Sequence, residues 1–263
     1  LKIAHEAPLS IFKQVQGVTD YDYALVHLFE ENDAYYQAFV DALLAGREVI
    51  LDNSIFELGE AFSGQEYFDW IKALKPTYYI IPDVLEDKDG TIENFDWWMQ
   101  TYGKEAGEYS LSIAVVQGKT YEEICECYKY LIDKVDKIAI SFDYSFFEQQ
   151  FPNEPTKYHS WMKGRQELLV KMVEDNIIDE DKPHHLLGCG LPQEFELYEN
   201  MPWIDSVDTS NPVVHGIKGI GYTWQGLENK ESVKLYTMMN DDVTDHWDDI
   251  KYNIEIFRSL CNA

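Results

Sequence analysis

Glu48-Val49-Ile50-Leu51-Asp52-Asn53-Ser54-Ile55-Phe56-Glu57-Leu58-Gly59 is the stretch on which the reading of the fold turns. An apolar run, Val49 to Leu51, stops abruptly at a carboxylate, an amide and a hydroxyl, and an aromatic follows. A continuous apolar run of this length reads as a strand buried on both faces, as in a parallel sheet. The polar residues then fall at its carboxyl end, where α/β folds bind their ligands.

The same layout recurs along the chain. It appears in Ile80-Ile81-Pro82-Asp83, Val115-Val116-Gln117-Gly118, Ile140-Ser141-Phe142-Asp143 and Ile204-Asp205-Ser206-Val207-Asp208. Between these strands the apolar spacing turns helical, as over Glu31 to Gly46, Gly64 to Leu74, Thr91 to Tyr102, Thr120 to Leu131 and Ser160 to Glu174. Thr120 is an expected N-cap, with Glu122 and Glu123 in the first turn. Ala24 to Phe29 reads as the first strand and Val213 to Tyr222 as an irregular eighth. Strand and helix alternate without a linker, the pattern of a single-domain (β/α)8 barrel. Its strands are expected between about residues 22 and 212, and closing helices between about 231 and 260. A doubly wound open sheet is the alternative, but the glycine-rich phosphate loop such a sheet uses is missing.

Composition limits the function classes. With 48 acidic against 21 basic residues the formal charge is −27, which repels a polyanion over most of the surface. A nucleic-acid role then needs a local basic patch, a protein partner or screening by salt. No run reaches the length of a membrane helix. The four cysteines, Cys125, Cys127, Cys189 and Cys261, have no metal-site spacing, so no metal or cofactor is expected. The acid at Glu6 is unlike a signal peptide, and the expectation is a cytoplasmic protein, in the host cytoplasm if viral.

The residues suited to chemistry cluster at the expected strand ends. Asp52, Asp83, Asp143, Asp205 and Asp208 are carboxylates there. Each alone could cap a helix, but together they imply one polar mouth that a ligand organises. Gln117 can both donate and accept, which suits reading a nucleobase edge. Gly118, Gly188 and Gly190 would let backbone approach a flat ligand, and Phe56 could stack on it or fill the core. Asn53 and Ser54 extend the polar turn after Asp52.

These segments, with Leu187-Gly188-Cys189-Gly190, resemble in order and spacing the tRNA-guanine transglycosylases and their phage relatives that place 7-deazaguanines in DNA. The similarity spans roughly residues 47 to 212. It implies a TIM barrel and a pentosyltransferase that swaps guanine for a 7-deazaguanine through a covalent glycosyl-enzyme. By this resemblance Asp205 is the nucleophile and Asp52 the acid/base. Asp83 and Gln117 read the base, Phe56 stacks on it, and the other residues named above complete the substrate pocket. Strict alternation puts Asp205 and Val207 on one strand face and Ile204, Ser206 and Asp208 on the other, so Asp208 competes for the role of nucleophile.

Departures shape the expectation. Ser141-Phe142 replaces a glycine pair, Asn53 and Glu57 replace a small residue and a glutamine, and the family's zinc motif and tRNA-gripping basic region are absent. DNA is therefore expected as the target over tRNA. Lys157, Lys163, Arg165 and Lys171, with His159 and Trp161, form the one basic and aromatic cluster able to hold a phosphate backbone. The tRNA enzymes of that family commonly form dimers, which leaves a homodimer open as the assembly, although the elements that would form it are not identifiable in this sequence. A catalytically silent binding subunit and a nucleoside or N-glycosyl hydrolase are the competing functions. His184 and His185 do not read as a metal pair, because neighbours on a strand face opposite ways.

Overall fold

The computed structural model describes residues 1 to 262. Eight strands run parallel: β1 (Lys2–Ala4), β2 (Asp22–Leu25), β3 (Val49–Asp52), β4 (Tyr78–Ile80), β5 (Leu111–Val116), β6 (Lys137–Ser141), β7 (His184–Leu187) and β8 (Ile204–Asp208). Their order is β1-β8-β7-β6-β5-β4-β3-β2, with a parallel ladder between each neighbouring pair. The ring is nearly closed. At the seam between β1 and β2, Asp20 bridges instead of a ladder: its backbone N–H donates to the Ile3 carbonyl at 2.9 Å, and its carboxylate accepts from the Ile3 N–H at 2.9 Å. The fold is the (β/α)8 barrel that the alternation predicts.

Around the ring lie α1 (Asp33–Leu44), α2 (Gly64–Leu74), α3 (Lys88–Trp98), α4 (Tyr121–Leu131), α5 (Lys157–Glu174), α6 (Asn211–Ile217) and α7 (Trp247–Leu260). Side chains close several first turns: Asn32 accepts from the Tyr35 N–H, Asp87 from Gly90 and Thr120 from Glu123. None of these helices is long and apolar enough to cross a membrane. The four cysteines are free and buried.

Four elements differ from the sequence reading. The first strand is Lys2–Ala4, too short to show a period. The expected strand at Ala24 to Phe29 is instead the end of β2 followed by a helix, His27–Glu31. Val213 to Tyr222 supplies no strand, because Pro212 sits in the first turn of α6, where its fixed φ suits a helix. The expected helix at 231 to 239 is reduced to one tight turn, Leu235–Met238, within an irregular segment that folds over the strand ends.

A bulge in β8 matters for the site. His184 pairs with Ile204 and His185 with Ser206, so Asp205 is an extra residue and the strand changes phase there. Arg165 of α5, fully buried, ties the helix layer to the end of β7. Its Nε donates to Glu194 Oε1 at 2.6 Å, and its two terminal nitrogens donate to the Leu187 and Gly188 carbonyls at 2.9 Å each. Glu194 is equally buried. Replacing Arg165 with leucine strands that carboxylate, and the expected loss is about 3–5 kcal/mol. Urea denaturation of Arg165→Leu against the parent measures it.

Candidate active site

Seven of the eight strands deliver a residue to one cavity at their carboxyl ends, and the loop after β1 adds another. Leu25, Asp52, Ile80, Val115, Ser141, Leu187 and Asp208 line it from β2 to β8, and Glu6 enters just past β1. The empty space is about 980 Å³ including the open mouth. Val233, Lys234, Leu235 and Tyr236 of the irregular segment form one wall, with Lys230.

Asp52 and Asp208 close the ends of β3 and β8 at this cavity. Tyr23, two residues before the end of β2, donates its hydroxyl to Asp52 Oδ2, and the Ser54 N–H donates to Oδ1. Burial and the neighbouring Glu57 charge push the Asp52 carboxyl well above its usual range, against the pull of those two donors. Burial also pushes the Tyr23 phenol well above its usual range. Asp208 Oδ1 lies 3.0 Å from His185 Nε2 and accepts from the Gly188 N–H at 3.3 Å. The His185 ring stacks on Tyr23 at 5.9 Å and 18°. One aromatic pair thus supports both acids.

A second polar set lies along the same rim. Asn53 Nδ2 donates to Asp83 Oδ1 at 2.7 Å, and Gln117 Nε2 donates to Oδ2 at 2.8 Å. Each Asp83 oxygen keeps a further lone pair for a ligand N–H. Burial raises the Asp83 carboxyl, and these two donors restrain the rise. Gln117 Oε1 is anchored by the Glu86 N–H at 2.8 Å. Beside them Phe56, 54% exposed, stands 6.0 Å from Phe142 and tilted by 49°. Lys230 Nζ, its pKa lowered by burial, donates to the Cys189 carbonyl at 2.7 Å and sits 4.5 Å from the Phe142 ring centroid.

The expected residues therefore divide. Asp52, Asn53, Phe56, Asp83, Gln117, Gly188 and Asp208 share the cavity lining. Asp205 does not: it is the second residue of β8, and its Oδ2 accepts from Lys137 Nζ, at the start of β6, at 2.6 Å. Burial works to raise its carboxyl, but the Lys137 hydrogen bond and charge hold it below the usual range. It is a counter-ion at the amino end of the strands. Strict alternation fails because the bulge turns Ser206 to the same side: Ser206 Oγ lies 3.3 Å from Lys137 Nζ.

Other expectations are corrected by packing. A Cβ on Gly118 would lie 2.8 Å from Glu123 Cβ, so that glycine serves the close approach to α4, and it lies outside the cavity lining. Gly190 faces the Tyr158 carbonyl. Gly188 does border the cavity, at φ +66°, with a Cβ position 2.5 Å from the Phe142 ring. Ser54 is buried at φ 61°, its hydroxyl accepting from the His27 N–H at 3.3 Å. Asp143 accepts from Ser141 Oγ at 2.7 Å, outside the lining.

The basic cluster does not form a patch. Arg165 is internal, Lys163 pairs with Glu154 at 2.6 Å and Lys171 with Asp175 at 2.5 Å. Lys157 lies 4.8 Å from the Trp161 ring centroid. Helical spacing made these residues look adjacent, but each found its own carboxylate or aromatic neighbour. His184 and His185 diverge, His184 toward the Tyr128 hydroxyl at 2.9 Å and His185 toward Asp208.

Tyr23, His185, Glu6 and Lys230 are site residues that the sequence reading passed over. Tyr23 fell just outside the expected first strand, and Lys230 lies in a segment without period. For His185 the signal was available, since its strand alternates with Leu187 and Gly188 follows. No protein-family model matches the chain, and no curated protein matches it.

Glu57, in the cavity lining, is pushed up to about 7, mainly by burial with the Asp208 charge adding to it. In the unfolded chain it ionises near 4.5. Between those values the unfolded state has lost the proton that the folded state keeps, so this group's contribution to stability falls as pH rises through the window. Glu57→Gln is expected to flatten that decline by about 1–3 kcal/mol, read from denaturation midpoints between pH 4.5 and 7.5.

Proposed function

We propose that the protein is a base-exchanging glycosyltransferase acting on a guanine-type N-glycoside, with Asp208 as nucleophile and Asp52 as proton carrier. The observation that carries this reading is the convergence of Asp52 and Asp208 on a cavity that also presents Asp83 and Gln117. Displacement at an anomeric carbon needs one carboxylate to attack and a second group to manage protons. Their environments separate the two roles.

Asp208 attacks C1′ while the C1′–N bond breaks, and Asp52, held protonated, gives its proton to the departing base. The product is a glycosyl ester on Asp208. An incoming 7-deazaguanine returns its N–H proton to Asp52, attacks C1′ and releases Asp208. Both donors to Asp208 reach Oδ1, leaving Oδ2 without a protein donor among the described residues, and Oδ2 is the attacking atom. Asp83 accepts from the base's N–H groups, Gln117 completes the edge, and Phe56 and Phe142 cover its face.

The acceptor in this reading is guanine in a nucleic acid, DNA before tRNA, with the base extruded into the cavity. A second reading, exchange or hydrolysis at a free nucleoside, is favoured by the paired and internal state of Lys163, Arg165 and Lys171.

Labelled guanine and 7-deazaguanines, offered with DNA, tRNA or guanosine, separate these outcomes by where the label enters. Asp208→Asn is expected to lower exchange at least about 10³-fold. Asp205→Asn is expected to leave the rate per folded molecule within about threefold, despite a lower denaturation midpoint. Incorporation into none of the three, together with no covalent mass adduct on Asp208, would sink the reading.

A further inference from the structure

A chain of hydrogen bonds links Asp208 to the far end of the barrel, and the chemistry of its members fixes the direction of each proton. It starts at Lys137, whose ammonium is fully buried and can only donate. Lys137 Nζ lies 2.6 Å from Asp205 Oδ2 and 3.3 Å from Ser206 Oγ. Ser206 Oγ is therefore an acceptor toward Lys137 and has one proton of its own to place. Its other partner is His185 Nδ1, at 2.9 Å.

If Nδ1 carried the ring proton, two donors would point at Ser206, and the buried hydroxyl proton would have no acceptor, a costly arrangement. With the hydroxyl donating to Nδ1, every group is satisfied. The ring proton then sits on Nε2, which faces Asp208 Oδ1 at 3.0 Å. The groups around the imidazole agree with a neutral ring. Tyr23 stacks on it, and Tyr21 meets it edge-on at 6.5 Å. Burial lowers its pKa, with Asp208 partly opposing.

We propose that His185 is a positioning residue, a neutral Nε2–H imidazole whose tautomer Lys137 imposes through Ser206, and that it orients Asp208 for attack. The hydrogen bond to Oδ1 fixes the carboxylate plane and leaves Oδ2 for C1′. This deepens the proposed function and rests on it for the role of Asp208. The tautomer itself stands without any substrate. An outer partner that fixes a histidine's tautomer is how metal sites and acid–base sites hold their ligands in register.

Nitrogen-15 NMR of the full chain labelled at histidine reads the tautomer directly, with His185→Gln identifying the signal by its loss. The expected result at neutral pH is protonated Nε2 and unprotonated Nδ1. In Asp208→Ala, which removes the carboxylate that alone would favour Nε2–H, the Ser206 hydroxyl is expected to hold the same tautomer, and adding Ser206→Ala is expected to give a mixture. A protonated Nδ1 in the parent, or a mixture of tautomers already in Asp208→Ala, overturns the relay. On exchange, His185→Gln keeps an N–H donor and is expected to hold kcat within about 10-fold, whereas His185→Leu loses about 100-fold with KM little changed. Equal kcat in the two variants overturns the positioning role. The expected tautomer without any exchange activity would defeat the proposed function alone, and exchange with the opposite tautomer would defeat the relay alone.

Discussion

A fully buried ammonium, that of Lys137, sets the terms for the barrel interior. A charge removed from water has to find its counter-ion and fill its remaining donor capacity nearby. Asp205 supplies the counter-ion and Ser206 an acceptor, with the Tyr78 ring 4.3 Å away. From Ser206 the requirement passes to His185 and from there to Asp208. Polar residues that would be a liability in an apolar barrel instead form one connected set, and its upper end is the candidate nucleophile.

The fold was largely legible in the sequence, for a simple reason. Strands covered on both faces read as short apolar runs, and Val49 to Leu51 is buried throughout. Parallel closure then brings the residues after those runs to one mouth, so Asp52, Asp83 and Gln117 could be placed together without coordinates. Legibility failed where a local irregularity broke the period. β1 has three residues, and the segment carrying Lys230 and Tyr236 holds only the one tight turn, Leu235–Met238. The helix α5 shows the opposite limit: its spacing was read well, but spacing says nothing about which of its cations turn inward, as Arg165 does.

The acidity of the chain acquires a local meaning at the cavity. Glu6, Asp52 and Glu57 are all raised by burial first, and the Asp208 charge adds to the rise of each, while Lys230 and Lys234 stand in the same lining. Carboxyl groups this crowded share protons rather than ionise together. In the proposed exchange, that arrangement would serve the proton handed to the leaving base and taken back. Strongly basic surroundings would ionise Asp52 outright.

The extra residue in β8 has an evolutionary consequence. Because Asp205 stands outside the ladder, His184 and His185 already face Ile204 and Ser206. A homologue shorter by that one position would keep its inward-facing serine and terminal aspartate in place, and would lack only the anion beside Lys137. Such a chain should carry a neutral residue where this one carries that lysine, so length at the bulge and charge at the base of β6 are expected to vary together.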